Sequence, residues 1–133
     1  MPFKDSGYDD ERFWVQVGSD QPTFLGFWTH RCGSCQVMAP VFGRLAKHYR
    51  RRIEFIAVNA YDRPDIAKRF GVKAVPTFIL MRKGKALRRF YGNIPEQLLK
   101  QHLAPHAPQL NEEAEEEKHR GLLARLLGIF GRK

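Results

Sequence analysis

The chain contains two cysteines, Cys32 and Cys35, separated by Gly33 and Ser34. Two are too few for a disulfide scaffold, and the spacing looks chemical instead of structural. Upstream, Thr-Phe-Leu-Gly-Phe-Trp over residues 23–28 is a short apolar and aromatic run, the pattern of a strand buried on both faces. Downstream, Val37, Met38, Val41, Leu45 and Tyr49 follow helical spacing, with Pro40 inside the pattern predicting a kink. The pair therefore falls where a buried strand gives way to a helix. At a helix N-terminus, unpaired backbone N–H groups and the positive end of the dipole stabilise a thiolate on Cys32. Such a thiolate attacks a disulfide to give a mixed disulfide, which Cys35, one turn further on, resolves by closing a small ring.

Metal binding is the rival chemistry for a Cys-x-x-Cys pair. A structural zinc needs four protein ligands, whereas His30, His48, His102, His106 and His119 are scattered and none has paired ligand spacing. The expectation is no metal, with a cluster shared between two subunits left as an alternative.

The remaining elements must position the pair. Asp9 to Val17 predicts a helix, with Phe13, Trp14 and Val17 on one face and acids in its first turn. Gly18 to Pro22 breaks it. Ile53 to Asn59 predicts a second strand, and Asp62 to Phe70 a short helix with Pro64 near its start and Gly71 as its stop. Thr77 to Met81 and Ala86 to Tyr91 predict two strands joined by Arg82-Lys83-Gly84-Lys85. Pro95 to Leu103 predicts a closing helix with Leu98, Leu99 and Leu103 inward. The order implies an α/β fold in which two βαβ steps pair in parallel and the last hairpin is antiparallel, a mixed sheet with helices on both faces.

Residues 1–105 then form one domain, and 106–133 a linker and tail. The chain has 133 residues and a formal net charge of +9, with 43% hydrophobic and 12% aromatic residues. That composition is globular, and the length leads to the expectation of one compact domain plus an appendage instead of a large multidomain enzyme. Residues 1–106 carry 18 basic and 9 acidic side chains, which accounts for the whole surplus, while residues 107–133 carry five of each. The tail is polarised. An acidic block over 112–117 precedes a basic amphipathic stretch in which Leu122, Leu123, Leu126, Leu127, Ile129 and Phe130 share one helical arc opposite Lys118, Arg125 and Arg132. Expected roles for this helical tail are partner binding or self-association, with an anionic membrane surface second. The acidic block could also fold back on the basic domain. Arg50-Arg51-Arg52 and Arg88-Arg89 have no accompanying nucleic-acid motif, so nucleic acid is not the expected partner. The acidic N-terminus carries no apolar run of secretory length, and the expectation is a cytoplasmic protein.

Phe27-Trp28-Thr29-His30-Arg31-Cys32-Gly33-Ser34-Cys35, with Met38-Ala39-Pro40 after it, resembles the active-site segment of the thioredoxin family. Val75-Pro76-Thr77 resembles that family's cis-proline loop, and Phe70-Gly71-Val72 and Tyr91-Gly92 match two further landmarks. The resemblance covers about residues 8–104 and leaves the tail out.

What it implies is a thioredoxin-like fold and a thiol–disulfide oxidoreductase acting on protein disulfides, with Cys32 as nucleophile and Cys35 as resolving cysteine. It implies no cofactor beyond the Cys32–Cys35 disulfide, and a thioredoxin-reductase-like or other dithiol electron donor. Trp28 would pack beneath the active-site loop. Pro76 would be cis and leave Val75 free to pair with an extended substrate beside Thr77, and Gly92 would let the substrate backbone approach. The alternative is a thioredoxin fold serving as a binding module or redox-gated scaffold through its basic surface and tail.

Departures from the family pattern carry their own expectations. Gly26 stands where the family places a buried Asp, and Ala57 where many members have Lys, which removes the obvious general base for Cys35. Arg31 and Ser34 replace the family's Trp and Pro around Cys32 and Gly33. A cation next to the nucleophile favours the thiolate, so the expected couple is more oxidising than an ordinary thioredoxin and slower to resolve. His30 is expected to be a solvated loop residue.

Overall fold

The computed structural model describes residues 7–108. Helix α1 (Asp10–Gly18) starts at Asp9, whose side chain accepts a hydrogen bond from the Arg12 N–H at 2.8 Å, and it turns Phe13 and Val17 inward. This is an N-cap followed by acids in the first turn, each arrangement satisfying or complementing free N–H groups. Strand β1 (Thr23–Trp28) is buried along its whole length. Helix α2 (Gly33–His48) runs unbroken through Pro40. Strand β2 (Glu54–Asn59) and the short helix α3 (Pro64–Arg69) follow. Strands β3 (Thr77–Arg82) and β4 (Lys85–Tyr91) form the hairpin, and α4 (Glu96–Leu103) leads into a 3-10 turn at Ala104–His106.

The four strands are ordered β2-β1-β3-β4. β1 pairs with β2 in parallel, from Thr23 opposite Glu54 to Trp28 opposite Asn59. β3 corrects the expectation of a second parallel step, because it runs antiparallel to β1, with Phe27 opposite Thr77 and Thr23 opposite Met81. The reason is length. α3 has six residues and rises only about 9 Å, roughly half of what returning alongside a six-residue strand requires. The chain therefore starts β3 at the end of the sheet where β1 and β2 finish. Thioredoxin-like architecture survives this correction: a mixed sheet of four strands, flanked by helices.

β1 separates two apolar clusters by its alternation. Phe24 and Trp28 join Met38, Phe42 and Leu45 of α2 and Leu99 and Leu103 of α4. Leu25 and Phe27 join Phe13 and Val17 of α1 and Ile66 of α3 on the other face. Each fully buried side chain of this size contributes about 1.5–3 kcal/mol, so the two layers fix β1 as the rigid support for whatever follows Trp28. Leu98 is a second correction: it is exposed at 42%, while Leu99 and Leu103 are at 1% and 0%. Two leucines one turn apart suffice to seat so short a helix, and the third falls past the edge of its contact face.

Turns follow local chemistry. Lys83 and Gly84 both have positive φ, 53° and 76°, the conformation of a two-residue hairpin turn. Gly71 ends α3 at φ 68°, its N–H bonding the Lys68 carbonyl while the Val72 N–H bonds that of Ala67, a glycine-terminated helix end. The acidic block and the amphipathic helix expected in the tail lie outside the described residues.

Candidate active site

Cys32 and Cys35 form a disulfide with their Cα atoms 5.2 Å apart, within the usual span. Cys32 is the N-cap of α2, in extended conformation, and its Sγ accepts the Cys35 N–H at 3.1 Å. The sulfur thus already occupies the place where a helix N-terminus stabilises negative charge. The two cysteines differ in access: Cys32 is half-buried, and Cys35 is fully buried among the residues beneath α2. Only the first sulfur presents itself to a large substrate.

The loop before β3 supplies the second side of the site. The Val75–Pro76 peptide bond is cis. The Val75 carbonyl oxygen lies 3.6 Å from Cys32 Sγ, within reach of a thiol donor once the disulfide is reduced. Thr77, fully buried, donates its hydroxyl to the Ala74 carbonyl at 2.6 Å and braces the loop from below. Gly92 closes the arrangement from β4: its N–H donates to the Pro76 carbonyl at 3.0 Å with φ at 73°, a conformation open to glycine at little cost.

Trp28, 2% exposed, lies under the loop with its ring edge-on to His30, centroids 4.9 Å apart. His30 itself is exposed, as are Arg31 and Gly33, and Ser34 is half-buried. The structure therefore gathers Trp28, Cys32, Cys35, Val75, Pro76, Thr77 and Gly92 around one point where α2 begins, β3 begins and β4 ends. Arg31, Gly33 and Ser34 belong to it through the loop and first turn that carry the cysteines.

Beneath Cys35 the layer is apolar. Gly26 and Ala57 are direct partners across β1 and β2. A Cβ built on Gly26 would sit 2.8 Å from Cε1 of Phe42, so the phenyl ring of α2 fills the space a side chain at 26 would need. Phe42 stacks on Phe24 and Phe78 with ring planes inclined by 22° and 29° and centroids 6.0 and 6.1 Å away, and it is edge-on to Phe55 at 5.2 Å. Among the described residues the buried polar side chains are Thr23 and Thr77, and no carboxylate is buried near the disulfide. Sequence reasoning found the missing acid but not Phe42, which joins Gly26 only when α2 is laid on β1.

Behind the loop, Tyr8, Trp28, His30, Asn59, Asp62 and Arg63 line a cavity of about 250 Å³. Burial and a hydrogen bond to the Glu54 carboxylate push the Tyr8 phenol up to about 12. No group of three or more metal-ligating side chains occurs among the described residues.

Fold and site together define a protein with a Cys32–Cys35 disulfide mounted at the start of a helix against a cis-proline loop. The family model described as Thioredoxin matches residues 6–105, and the chain belongs to the thioredoxin family. It is 35% identical over 92 residues to "Thioredoxin M5, chloroplastic" of Oryza sativa subsp. japonica, a match covering 68% of this chain and 54% of that protein. It is 32% identical over 90 residues to "Thioredoxin 1" of Nostoc sp. (strain PCC 7120), covering 68% of this chain and 84% of the relative. The chain thus spans about half the length of the chloroplastic relatives it matches and most of the Nostoc one. The N21Q mutant thioredoxin from Halobacterium salinarum NRC-1 has the same fold, with a TM-score of 0.67 at 20% identity over 77% of this chain and 88% of that one.

Proposed function

We propose that the protein is a thiol–disulfide oxidoreductase that exchanges electrons with disulfides of other proteins. The observation that carries this reading is the asymmetry of the pair: a half-buried Cys32 sulfur at a helix N-terminus, 3.6 Å from the Val75 carbonyl, backed by a fully buried Cys35. In the reducing direction, the Cys32 thiolate attacks one sulfur of the substrate disulfide, and the other leaves as a thiolate that takes a proton from solvent. Cys35 loses its proton and attacks Cys32 Sγ, re-forming the Cys32–Cys35 bond and releasing the second substrate thiolate. Two electrons pass from the dithiol to the substrate. A dithiol donor of the reductase class restores the reduced form, and no bound cofactor enters the cycle.

The direction favoured at equilibrium follows from what stabilises the thiolate. Arg31, adjacent in sequence to Cys32, supports a couple more oxidising than an ordinary thioredoxin, and the apolar layer in place of an acid beneath Cys35 supports slower resolution. Two measurements test the reading. Reduction of insulin with dithiothreitol as donor is expected to be accelerated by the full chain and not by Cys32→Ser. Equilibration with glutathione is expected to give a potential above thioredoxin's value of about −270 mV. Loss of the first result leaves the fold as a binding scaffold, and a potential at or below that value removes the oxidising tendency.

A further inference from the structure

Next to the reactive sulfur, a groove of about 410 Å³ runs along α3 and the segment leading into the cis-proline loop. Its floor is apolar, built from Ala67, Val72 and Val75, and its rims carry Tyr61, Lys68 and Lys73. Val75 joins groove to site, since its carbonyl lies 3.6 Å from Cys32 Sγ. The Tyr61 side chain is 81% exposed, a flat aromatic wall outside both apolar clusters of the described residues. Both lysines are exposed and take part in no ion pair among the described residues.

Among the described residues, the charged side chains that line the groove are Lys68 and Lys73. Asp65, in the same helix as Lys68, is engaged by Arg63 at 3.5 Å. Asp62 lines the separate cavity behind Trp28 and is absent from the groove. Among the described residues no carboxylate lines the groove itself. An apolar floor between free cations fits an extended segment in which an apolar or aromatic residue is flanked by acids. With about 3.3 Å of extended chain per residue, a segment whose half-cystine reaches Cys32 lays its neighbours, two to four residues along, into this groove.

We infer that the Tyr61–Lys68–Lys73 groove selects protein disulfides that carry an acid-flanked apolar residue within about four residues of the reacting cysteine. This rests on the proposed oxidoreductase reading and names its substrate class. The occupant is the substrate's own chain, bound before and during mixed-disulfide formation, so the groove acts on kcat/KM.

The test uses the full chain with dithiothreitol as reductant and two disulfide-bridged peptides that differ only beside the half-cystine, one with Glu-Leu-Glu and one with Lys-Leu-Lys. The acidic peptide is expected to be reduced about five-fold faster in kcat/KM at low ionic strength, the size expected of two exposed charge contacts. Lys68→Glu/Lys73→Glu is expected to abolish or reverse that preference. Arg50→Glu/Arg88→Glu, which makes the same change in net charge elsewhere on the surface, is expected to keep it. Tyr61→Ala is expected to slow reduction of the Leu peptide and not of a Ser analogue. Equal rates for the two peptides, or loss of the preference in both double variants alike, overturn the groove while leaving the oxidoreductase reading intact. Failure to reduce either peptide or insulin overturns both.

Discussion

Gly26 and Phe42 share one volume: a Cβ on the first would come within 2.8 Å of the ring of the second. The contact joins the central strand to the helix that carries both cysteines, and it decides the character of the layer under Cys35. Where a buried acid could accept a proton, this chain has an aromatic stack of Phe24, Phe42 and Phe78.

Restoring the acid is therefore expected to cost stability unless the ring also yields. Gly26→Asp places a carboxyl in a filled apolar layer and is expected to destabilise by about 3 kcal/mol, combining overpacking with desolvation. Phe42→Ala opens a cavity and is expected to cost about 3–5 kcal/mol. The double variant is expected to be more stable than the sum of the two by at least about 1 kcal/mol, since each change makes room for the other. Urea unfolding of the four proteins checks this; strict additivity would contradict a shared volume.

Resolution by Cys35 is expected to depend steeply on pH. A fully buried thiol with no carboxylate beneath it among the described residues has its ionisation disfavoured, and only the thiolate attacks. The rate at which a preformed mixed disulfide on Cys32 resolves is expected to rise with pH through the neutral range to at least about pH 8, as the thiolate fraction grows. Stopped-flow release of a chromophoric thiol measures it, and a plateau below pH 8 would show that a proton acceptor serves Cys35 after all.

Tyr8 gives a separate pH signature. Its phenol is raised from 10.0 to about 12 by burial and by Glu54, so the folded state holds that proton more tightly than the unfolded one. The associated stability is complete below pH 10 and declines as pH rises through 12. Ultraviolet titration is expected to show a phenolate component near pH 12 that Tyr8→Phe removes and Glu54→Gln moves downward.

How much of this could be read from the sequence depended on whether the signal was local. Strand β1 was legible to the residue, because six consecutive buried residues leave a short run that is apolar from Phe24 to Trp28. The cysteine pair, Gly71 as a helix stop and the turn at Gly84 were legible for the same reason: spacing or backbone preference acts within a few residues. The direction of β3 was not, since strand-helix-strand has the same pattern whether the helix is long enough to return or not. Leu98 misled because its apolar character matches the inward positions while its angle does not. Phe42 and the Tyr61–Lys68–Lys73 groove were illegible because each acquires meaning from a partner brought close only by folding.

The central claim is that Cys32 is the attacking sulfur and Cys35 the resolving one. Trapping addresses it most directly: reduced Cys35→Ser and Cys32→Ser proteins are each exposed to a disulfide-bridged protein such as insulin, and covalent adducts are counted by intact mass. A stable mixed disulfide through Cys32 in Cys35→Ser, with none through the buried Cys35 in Cys32→Ser, is the expected result. Equal adducts in both variants, or an adduct only through Cys35, would contradict the account.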